Sequence, residues 1–474
     1  MKPRFNQPIF IIAALLLVHL LFFLSALIRP PALLTDSEDY LTASQNLYSK
    51  GTLYSGDLSE PIVEEQLTRR PPIYPLILGL RSLTGSGIPL YLLQILASLL
   101  SILITYRIFV FEAVNQSELG TKLYIIPGLV MLLATPAQFI YSSRIMAEIP
   151  FQLMVVLMAW SVFHYFNGSY GQSIGKVQPK EKNHSNGKDQ SIGKVPPKEK
   201  ERYIWLYNLF LTIGMAIKPV LYPFALLSLL LSVFLYIKTR KPTFILALIL
   251  PIFWISTYSA WNFKRTGSSQ YSSIQTANMV NYNLRYFIMG REGSEVAAEE
   301  VDRLYSDCGD EVDYREKLKC LEHGVRKVIL DNPVKYAFFH LKGSIRYFLD
   351  PGRFDLVTFF NIQPADSPGF LHVVNKDGLS GAIRFLKQQG WGLALILGLI
   401  AIFKLVKITG FLLYLWRGNE QFQLRIFLGF LVAYFALVTG PLGASRFLLP
   451  VELLLIGGAL KGWIPIIMSL RKQS

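Results

Sequence analysis

The stretch with the most chemical potential lies between Pro30 and Arg70, directly after a long apolar run. It holds seven acidic residues in a chain whose formal net charge is +15. These are Asp36, Glu38, Asp39, Asp57, Glu60, Glu64 and Glu65. The stretch closes on Arg69 and Arg70, which two prolines follow. Because this composition is unusual for a connecting loop, we interpret the stretch as a reaction site.

Further ionisable residues lie beside other apolar runs, namely Arg144, Glu148, Lys218 and Arg446. A carboxylate near a membrane surface can take a proton from a hydroxyl group as that group attacks. Cations at the same level can hold a phosphate and stabilise the charge that develops when it leaves. The residue types therefore suit group transfer from a phosphate carrier, although their spacing alone does not establish it.

Each of these residues also has a purely structural interpretation. Thr35 and Glu38 fit a helix capping box, in which Asp36 would only favour the helix N-terminus. Glu148 precedes Pro150 and could be a simple acid at a helix start. Lys218 and Arg446 could extend to the lipid headgroups as anchors. The cap and a catalytic Asp36 are compatible with one another.

The composition indicates an all-α polytopic membrane protein of about ten transmembrane helices. The chain has 474 residues, 52% of them hydrophobic, and several apolar runs are long enough to cross about 30 Å of hydrocarbon. The positive charge is spread over short loops and tails, which argues against a nucleic-acid surface. The expected spans are Ile9–Ile28, Pro89–Val110, Leu123–Ile140, Ile145–Phe166, Tyr203–Ile217, Val220–Ile237, Thr243–Trp261, a run within Trp391–Trp416, Phe422–Val438 and Phe447 to about Met468.

The chain divides into three parts. Residues 1–261 form an N-terminal transmembrane module, whose first span we expect to be a retained anchor. It includes the outer loop 30–75 and a loop at 167–202 in which QSIGKVQPKEK recurs as QSIGKVPPKEK. That loop is polar and rich in glycine and proline, so we expect it to be disordered. Residues 262–390 form a small α-rich region outside the membrane, and residues 391–474 form the last helices.

The region 262–390 is too long for an ordinary connection and has helical candidates of its own. They are Glu295–Tyr305, Glu311–Leu330 and Val334–Leu349, the last amphipathic enough to lie on a bilayer. Cys308 and Cys320 lie close together in this polar region, and the sequence leaves a disulfide and two free thiols equally open.

Ten spans would place both chain ends on one side of the membrane. Basic loops are retained in the cytoplasm, and the loops at 167–202 and 238–242 are basic. The acidic loop and the region 262–390 then face outward. The localisation that we expect is a bacterial cell (inner) membrane, with the reaction site on its extracytoplasmic side.

Short motifs in a fixed order resemble the membrane glycosyltransferases of the GT-C class. They are similar above all to the protein mannosyltransferase and aminoarabinose transferase group, glycosyltransferase family 39 and its bacterial relatives. The first motifs are Asp36-Ser37-x-x-Tyr40-x-x-Ala43 and Arg70-Pro71-Pro72-Ile73-Tyr74-Pro75. The others are Glu148-Ile149-Pro150-Phe151, Trp261-Asn262-Phe263 with Thr266-Gly267 and Ser272-Ser273, Asp331-Asn332-Pro333-Val334-Lys335-Tyr336 and Ser445-Arg446-Phe447-Leu448-Leu449-Pro450.

The resemblance implies a GT-C fold and an inverting transfer of a sugar from a polyprenyl-phosphate donor to a protein, lipid or glycan. It places Asp36 at the catalytic carboxylate, with Glu148 as a second catalytic candidate. The expected substrate-binding residues are Glu38, Asp39, Tyr40, Arg69, Arg70, Tyr74, Lys218 and Arg446. Many members have Asp-Glu where this chain has Asp36-Ser37, so Glu38 or Asp39 could supply the second acid. Some relatives bind a divalent cation, although no His/Cys ligand set is visible here.

Two other functions remain open. A transporter or flippase of lipid-linked glycans predicts charged residues and broken helices at mid-membrane depth. The second, third, ninth and tenth spans show few charges, which favours the enzyme. A glycan polymerase or ligase would use similar donors and pass on oligosaccharides, and the sequence does not separate it from a single-sugar transferase.

Overall fold

The computed structural model describes residues 7–110, 118–167, 197–309, 313–362, 391–418 and 422–473, together with residues 380, 381 and 387. Every regular element in this part of the chain is helical. The predicted disordered loop with its repeat lies outside the described residues, except for its last turns. The same holds for most of residues 363–390.

The first half of the chain alternates long apolar helices with short surface ones. In chain order they are α1 (Gln7–Ile28), α2 (Thr35–Lys50), α3 (Glu64–Leu67), α4 (Ile73–Thr84), α5 (Ile88–Phe109), α6 (Glu118–Leu133), α7 (Pro136–Ser142), α8 (Glu148–Asn167), α9 (Pro197–Ile217), α10 (Tyr222–Thr239), α11 (Thr243–Leu246) and α12 (Ile249–Thr266). A single 3₁₀ turn, Pro219–Leu221, joins α9 to α10.

The second half begins with the α-rich region and ends with three long helices. They are α13 (Ile274–Asn278), α14 (Arg285–Glu292), α15 (Ser294–Asp307), α16 (Tyr314–Asp331), α17 (Pro333–Leu349), α18 (Arg353–Phe360), α19 (Trp391–Arg417), α20 (Phe422–Thr439) and α21 (Leu449–Gln473). A π-helical turn, Met279–Leu284, joins α13 to α14.

The prediction of an all-α polytopic membrane protein is confirmed. In the described part of the chain, 8 helices are long and apolar enough to cross a membrane, or 9 if one bent pair is a single span. The remaining predicted span corresponds to α9, whose first turns carry the charged residues Lys198, Glu199, Lys200, Glu201 and Arg202, so its apolar part is shorter than a full span. Apolar side chains on α1, among them Leu17 and Leu21, point outward, as lipid contact requires.

The third predicted span, Leu123–Ile140, is not one straight helix. It consists of α6 and α7, which meet at an angle of 63°. Pro136 follows the break, and proline cannot donate the backbone hydrogen bond that would continue α6. Thr135 closes the end of α6 instead, since its hydroxyl donates to the carbonyl of Met131 at 2.9 Å.

The helices pack around α8 and α21. Phe151, Val155 and Ala159 of α8 are completely buried. At the crossing of α19 and α21, a Cβ on Gly462 would lie 1.9 Å from the carbonyl oxygen of Gly410. Only a glycine therefore allows these two backbones to approach so closely, which is the usual role of small residues between membrane helices.

Two lysines of α19 and an acid of α21 are buried inside the bundle, which corrects an expectation from the sequence. Lys407 and Glu452 form a buried ion pair, and Lys407 Nζ also donates to Thr135 Oγ1 at 2.9 Å. Lys404 is buried next to them. Charged residues at membrane depth and a broken span are therefore both present. The low number of charges in the spans thus favours the enzyme over a transporter less than the sequence indicated.

The region after α12 matches its sequence prediction closely. The predicted helices Glu295–Tyr305, Glu311–Leu330 and Val334–Leu349 correspond to α15, α16 and α17. Cys308 and Cys320 are joined by a disulfide, which the sequence left open. The α17 helix exposes a row of apolar side chains that suits the surface of a bilayer, namely Val334, Phe338, Leu341 and Ile345.

The buried ion pair generates a prediction about stability. Lys407→Met alone leaves the Glu452 carboxylate buried without its partner, which costs about 3–5 kcal/mol of unfolding free energy. The double variant Lys407→Met/Glu452→Leu removes both charges, and we expect it to recover most of that loss. Thermal unfolding of the detergent-purified proteins measures this, and a double variant as unstable as the single one would contradict it.

Candidate functional site

The predicted site residues come together at one end of the long helices. Asp36 lies in the first turn of α2, shortly after α1 ends, and Arg70 lies just before α4. Glu148 begins α8, Lys218 follows α9, and Arg446 lies in a 3₁₀ turn before α21. Five separate parts of the sequence thus supply a single cluster, here called the Asp36 cluster.

Asp36 is shared between two arginines. One carboxylate oxygen lies 2.6 Å from Nη2 of Arg70, and the other lies 3.0 Å from Nη1 of Arg446. Arg70 is buried, whereas Asp36 and Arg446 each keep about a quarter of the side chain exposed (26% and 22%). The two cations therefore meet at a carboxylate that is still open on one side.

The capping box predicted from Thr35 and Glu38 is wrong in detail. Leu34 is the N-cap residue, and its backbone N–H donates to Ser37 Oγ at 3.4 Å. The Asp36 carboxylate is consequently free to bind the two arginines. Glu38 is exposed and has no ion pair with any residue that the structure describes, so it stands apart from the cluster.

A second carboxylate, Asp39, anchors both arginines of the outer loop. Its Oδ2 atom accepts from Nη2 of Arg70 and from Nε of Arg69, each at 2.7 Å. Arg69 also reaches Glu65 at 2.8 Å, one helical turn before it. Asp39 is less exposed than Asp36 (12% against 26% of the side chain), so it serves to orient the arginines, and Asp36 is the carboxylate that is more open to a ligand.

Glu148 and Lys218 form a second ion pair in the cluster. Lys218 Nζ lies 2.7 Å from Glu148 Oε1, and the Glu148 side chain is only 1% exposed. Its other oxygen, Oε2, is buried without a hydrogen-bond partner among the described residues. A buried carboxylate oxygen without a donor is costly, so this atom is the part of the cluster that best suits a bound hydroxyl or water.

Two buried tyrosines form the wall behind the arginines. The Arg70 guanidinium lies over the ring of Tyr40, 4.6 Å from its centroid. Tyr40 packs edge-on against Tyr74, whose hydroxyl donates to the Gln94 side chain at 2.9 Å. Gln94 in turn donates to the carbonyl of Arg144 at 2.8 Å. Tyr40 and Tyr74 therefore shape and support the arginines from below.

Arg144, which the sequence placed beside the site, has another role. Its guanidinium donates to Thr358 Oγ1 of α18 at 2.9 Å and to the carbonyl of Ala32 at 3.2 Å. It thereby fastens the start of the outer loop to α18. It has no ion pair with any described residue of the cluster.

The electrostatic balance keeps Asp36 ionised. Burial alone would raise the pKa of its carboxyl, but the positive charges of Arg70, Arg446 and Lys218 outweigh burial and hold that pKa far below its ordinary value. Burial likewise opposes the charge of Arg446, and Asp36 outweighs it, so the pKa of this guanidinium is raised. An anion other than Asp36 would be attracted by the same three cations.

The sequence did not single out Asp350 and Asp355, which lie directly behind the cluster. Asp355 is buried and Asp350 is partly buried, and both bond to Ser445, the residue before Arg446. Ser445 belongs to a motif that the sequence did flag, but no local pattern indicates that Asp350, before α18, and Asp355, in the first turn of α18, would reach it. The described residues contain no group of three His, Cys, Asp or Glu side chains arranged to hold a metal ion.

Comparisons with known proteins give one structural likeness. No family model matches the chain, and no curated protein sequence matches it. Among solved structures, the chain is similar to the crystal structure of ArnT from Cupriavidus metallidurans bound to undecaprenyl phosphate, a protein of the aminoarabinose transferase group that the motifs resemble. The two are 12% identical, 97% of this chain and 78% of that chain are covered, and the TM-score is 0.36. A TM-score of 0.36 is too low to transfer the function of that protein to this chain.

The ion-pair geometry predicts that Arg70 is the most costly cation to remove. Arg70→Ala leaves both Asp36 and Asp39 without their buried partner, and we expect a loss of about 3–5 kcal/mol in unfolding free energy. Arg70→Lys keeps a charge without the planar fork, so it should lose less. Arg69→Ala is the matched control because Arg69 is more exposed. Thermal unfolding that ranks Arg69→Ala as the least stable variant would contradict this.

Proposed function

We propose that this protein is an integral membrane glycosyltransferase that takes a sugar from a polyprenyl-phosphate donor, with Asp36 as the general base. The observation that carries the proposal is the sharing of Asp36 between Arg70 and Arg446 at one end of the membrane helices. A carboxylate and two or three cations at the same level are the groups that such a transfer needs. A lipid-linked phosphate would present its charge at this level.

The arriving phosphate competes with Asp36 for the two guanidinium groups. Arginine forks bind phosphate as readily as carboxylate, and Asp36 already marks where an anion is held. In the resting arrangement Asp36 is a weak base, because its pKa is held low by both arginines. Once the phosphate oxygens bind the arginines, those charges are shared, and the basicity of Asp36 rises. Donor binding thus activates the base.

The bonds balance in a single displacement. The acceptor oxygen attacks the anomeric carbon of the donor, the bond from that carbon to the phosphate oxygen breaks, and the acceptor proton passes to Asp36. The products are the glycosylated acceptor and the polyprenyl phosphate, whose new negative charge the cations stabilise. One displacement inverts the anomeric configuration, in agreement with the expectation from the sequence motifs.

Glu148 and Lys218 complete the proposed site. Lys218 adds a third positive charge close enough to lower the pKa of Asp36. The free oxygen of Glu148 can accept a hydrogen bond from the acceptor or the sugar, so this residue has an orienting role. Asp39 and Arg69 hold the loop in place, and Glu38 lies outside the proposed binding set because it is exposed.

A transporter of lipid-linked glycans is a second candidate. The bent span at Thr135 and the buried charges of Lys404, Lys407 and Glu452 favour it, since transporters build sites from such features. The cavity at this place leaves about 20 Å³ for the centres of water molecules. This space holds about one water molecule and is too small for a sugar. In this protein the buried charges therefore connect neighbouring helices.

The two enzyme alternatives differ in their products. A single-sugar transferase adds one residue to its acceptor, whereas a polymerase or ligase adds an oligosaccharide. Mass spectrometry of lipid and protein glycans from cells with and without the gene identifies both the donor and the acceptor. We expect that loss of the gene removes one sugar residue from one acceptor class. Unchanged glycans with altered sidedness of a lipid-linked glycan would favour the transporter.

The decisive substitution is Asp36→Asn, which keeps the size of the side chain and removes its basicity. We expect that the variant inserts into the membrane normally and remains folded. Its turnover should be lower by about a hundredfold or more. Glu60→Gln is the matched control, since it neutralises an exposed acid of the same outer loop. The rate of product formation by purified protein with the identified donor measures the effect. A well-folded Asp36→Asn protein with near-normal turnover would overturn the mechanism.

A further inference from the structure

We infer that Asp350 and Asp355 are positioning residues that fix Arg446 in the Asp36 cluster by holding the backbone and the hydroxyl of Ser445. The inference rests on the proposed function, in which Arg446 binds the donor phosphate. The inference is drawn from the hydrogen bonds that Ser445 makes with Asp350 and Asp355. No motif in the sequence predicts these contacts.

Both acids hold Ser445, each through a different group. The backbone N–H of Ser445 donates to Asp350 Oδ2 at 2.7 Å. The Ser445 hydroxyl donates to Asp355 Oδ2 in a short hydrogen bond. Ser445 therefore has both its main-chain donor and its side-chain donor fixed by carboxylates. Hydrogen bonds to charged acceptors are about twice as strong as neutral ones, so this attachment is firm.

The two acids are themselves held from behind. Tyr141 of α7 donates its hydroxyl to Asp355 Oδ1 at 2.6 Å, and the backbone N–H of Gly352 donates to Asp350 Oδ1 at 3.2 Å. Asp355 is 4% exposed. Because each carboxylate uses one oxygen for Ser445 and the other for a second donor, neither can turn away without breaking a hydrogen bond, and both bonds of Asp355 are buried.

Gly352 allows the loop to come this close. Its φ is +78°, a conformation that residues with a side chain rarely adopt. A Cβ at this position would also lie 2.8 Å from Ser445 Oγ, less than ordinary van der Waals contact. The backbone at Gly352, between Asp350 and α18, therefore packs directly against Ser445.

Arg446 depends on Ser445 because the turn that carries it is short. The turn is a 3₁₀ segment of three residues, Ser445–Phe447. Two glycines of positive φ, Gly440 and Gly443, precede it, and α21 follows it. Starting next to Ser445, the Arg446 side chain passes over the ring of Phe447, with the guanidinium carbon 4.8 Å from the ring centroid, and reaches Asp36. Loss of the Ser445 bonds would let the guanidinium leave this path.

The charges around the two acids support the same role. Asp350 and Asp355 repel each other, and burial and this repulsion raise the pKa of Asp350. Lys404 lies across a water-sized cavity from Asp355 and Ser445 and offsets the repulsion in part. Arg446 feels the negative charge of Asp355 as well as that of Asp36. Asp355 thus attracts the guanidinium to the cluster, in addition to the bonds by which both acids hold Ser445.

The test compares variants of Asp355 that keep or remove its hydrogen bonds. Asp355→Leu removes both, whereas Asp355→Asn can keep both, because a hydroxyl can accept from the amide as well as donate to it. Ser445→Ala removes one bond and is the gentler variant if Asp355→Leu fails to fold. The control is Lys407→Met/Glu452→Leu, which alters the same cavity and leaves Ser445 untouched.

Two quantities are measured on the full-length protein in detergent: binding of a polyprenyl monophosphate by native mass spectrometry, and the KM for the donor together with kcat. We expect Ser445→Ala and Asp355→Leu to weaken binding and raise KM by about tenfold, the effect of one charge-assisted hydrogen bond. The value of kcat should fall less than KM rises, and Asp355→Asn should restore most of the affinity.

Three results would overturn the inference: unchanged binding in both Ser445→Ala and Asp355→Leu, an equal loss in the control, or an effect on kcat alone. A failure of the proposed function looks different. If Asp36→Asn retains turnover, or no donor is used at all, the general-base assignment fails, while binding of the monophosphate still tests the positioning of Arg446.

Discussion

The structure depends on one carboxylate shared by two arginines. Asp36 lies between Arg70 and Arg446, and these residues come from the first outer loop and from the turn before the last helix. Arg70 is buried and needs an anionic partner, and the two arginines in turn keep the Asp36 carboxyl ionised against the effect of burial. The pairing therefore closes the bundle at one end and, at the same time, prepares a place for another anion.

The balance between charge attraction and burial also bears on ligand binding. An ion pair whose net stability is small can exchange its carboxylate for another anion. Buried salt bridges contribute little net stability, because desolvation offsets most of their attraction. A phosphate that enters the cluster replaces one anion by another and keeps the arginines paired. Lys407 and Glu452 differ, because they lie deep in the bundle around a cavity of water size. They tie helices together, whereas the Asp36 cluster lies at the end of the helices and keeps Asp36 partly exposed.

The site also shows how a membrane protein separates support from chemistry. The loop at 30–75 is held by Asp39, Arg69, Tyr40 and Tyr74. The turn Ser445–Phe447, which carries the other arginine, is held by Asp350 and Asp355. Support thus reaches the arginines from both sides, and Asp36 and the free oxygen of Glu148 are left for a ligand. Rigid support of this kind matters because transfer requires the reacting groups to be held within a fraction of an ångström.

The sequence by itself determined the helical class, nearly every membrane helix, the three helices of the outer region and most members of the cluster. Apolar runs of a fixed length and ionisable residues beside them are local features, so they can be counted along the chain. Only the tertiary structure decided the partners. It showed that Leu34 and not Thr35 caps α2, that Glu38 points to solvent, that the third span bends at Thr135, and that Asp350 and Asp355 hold Ser445. Ion pairs between residues hundreds of positions apart depend on how helices pack, and packing leaves no periodic trace in a single sequence.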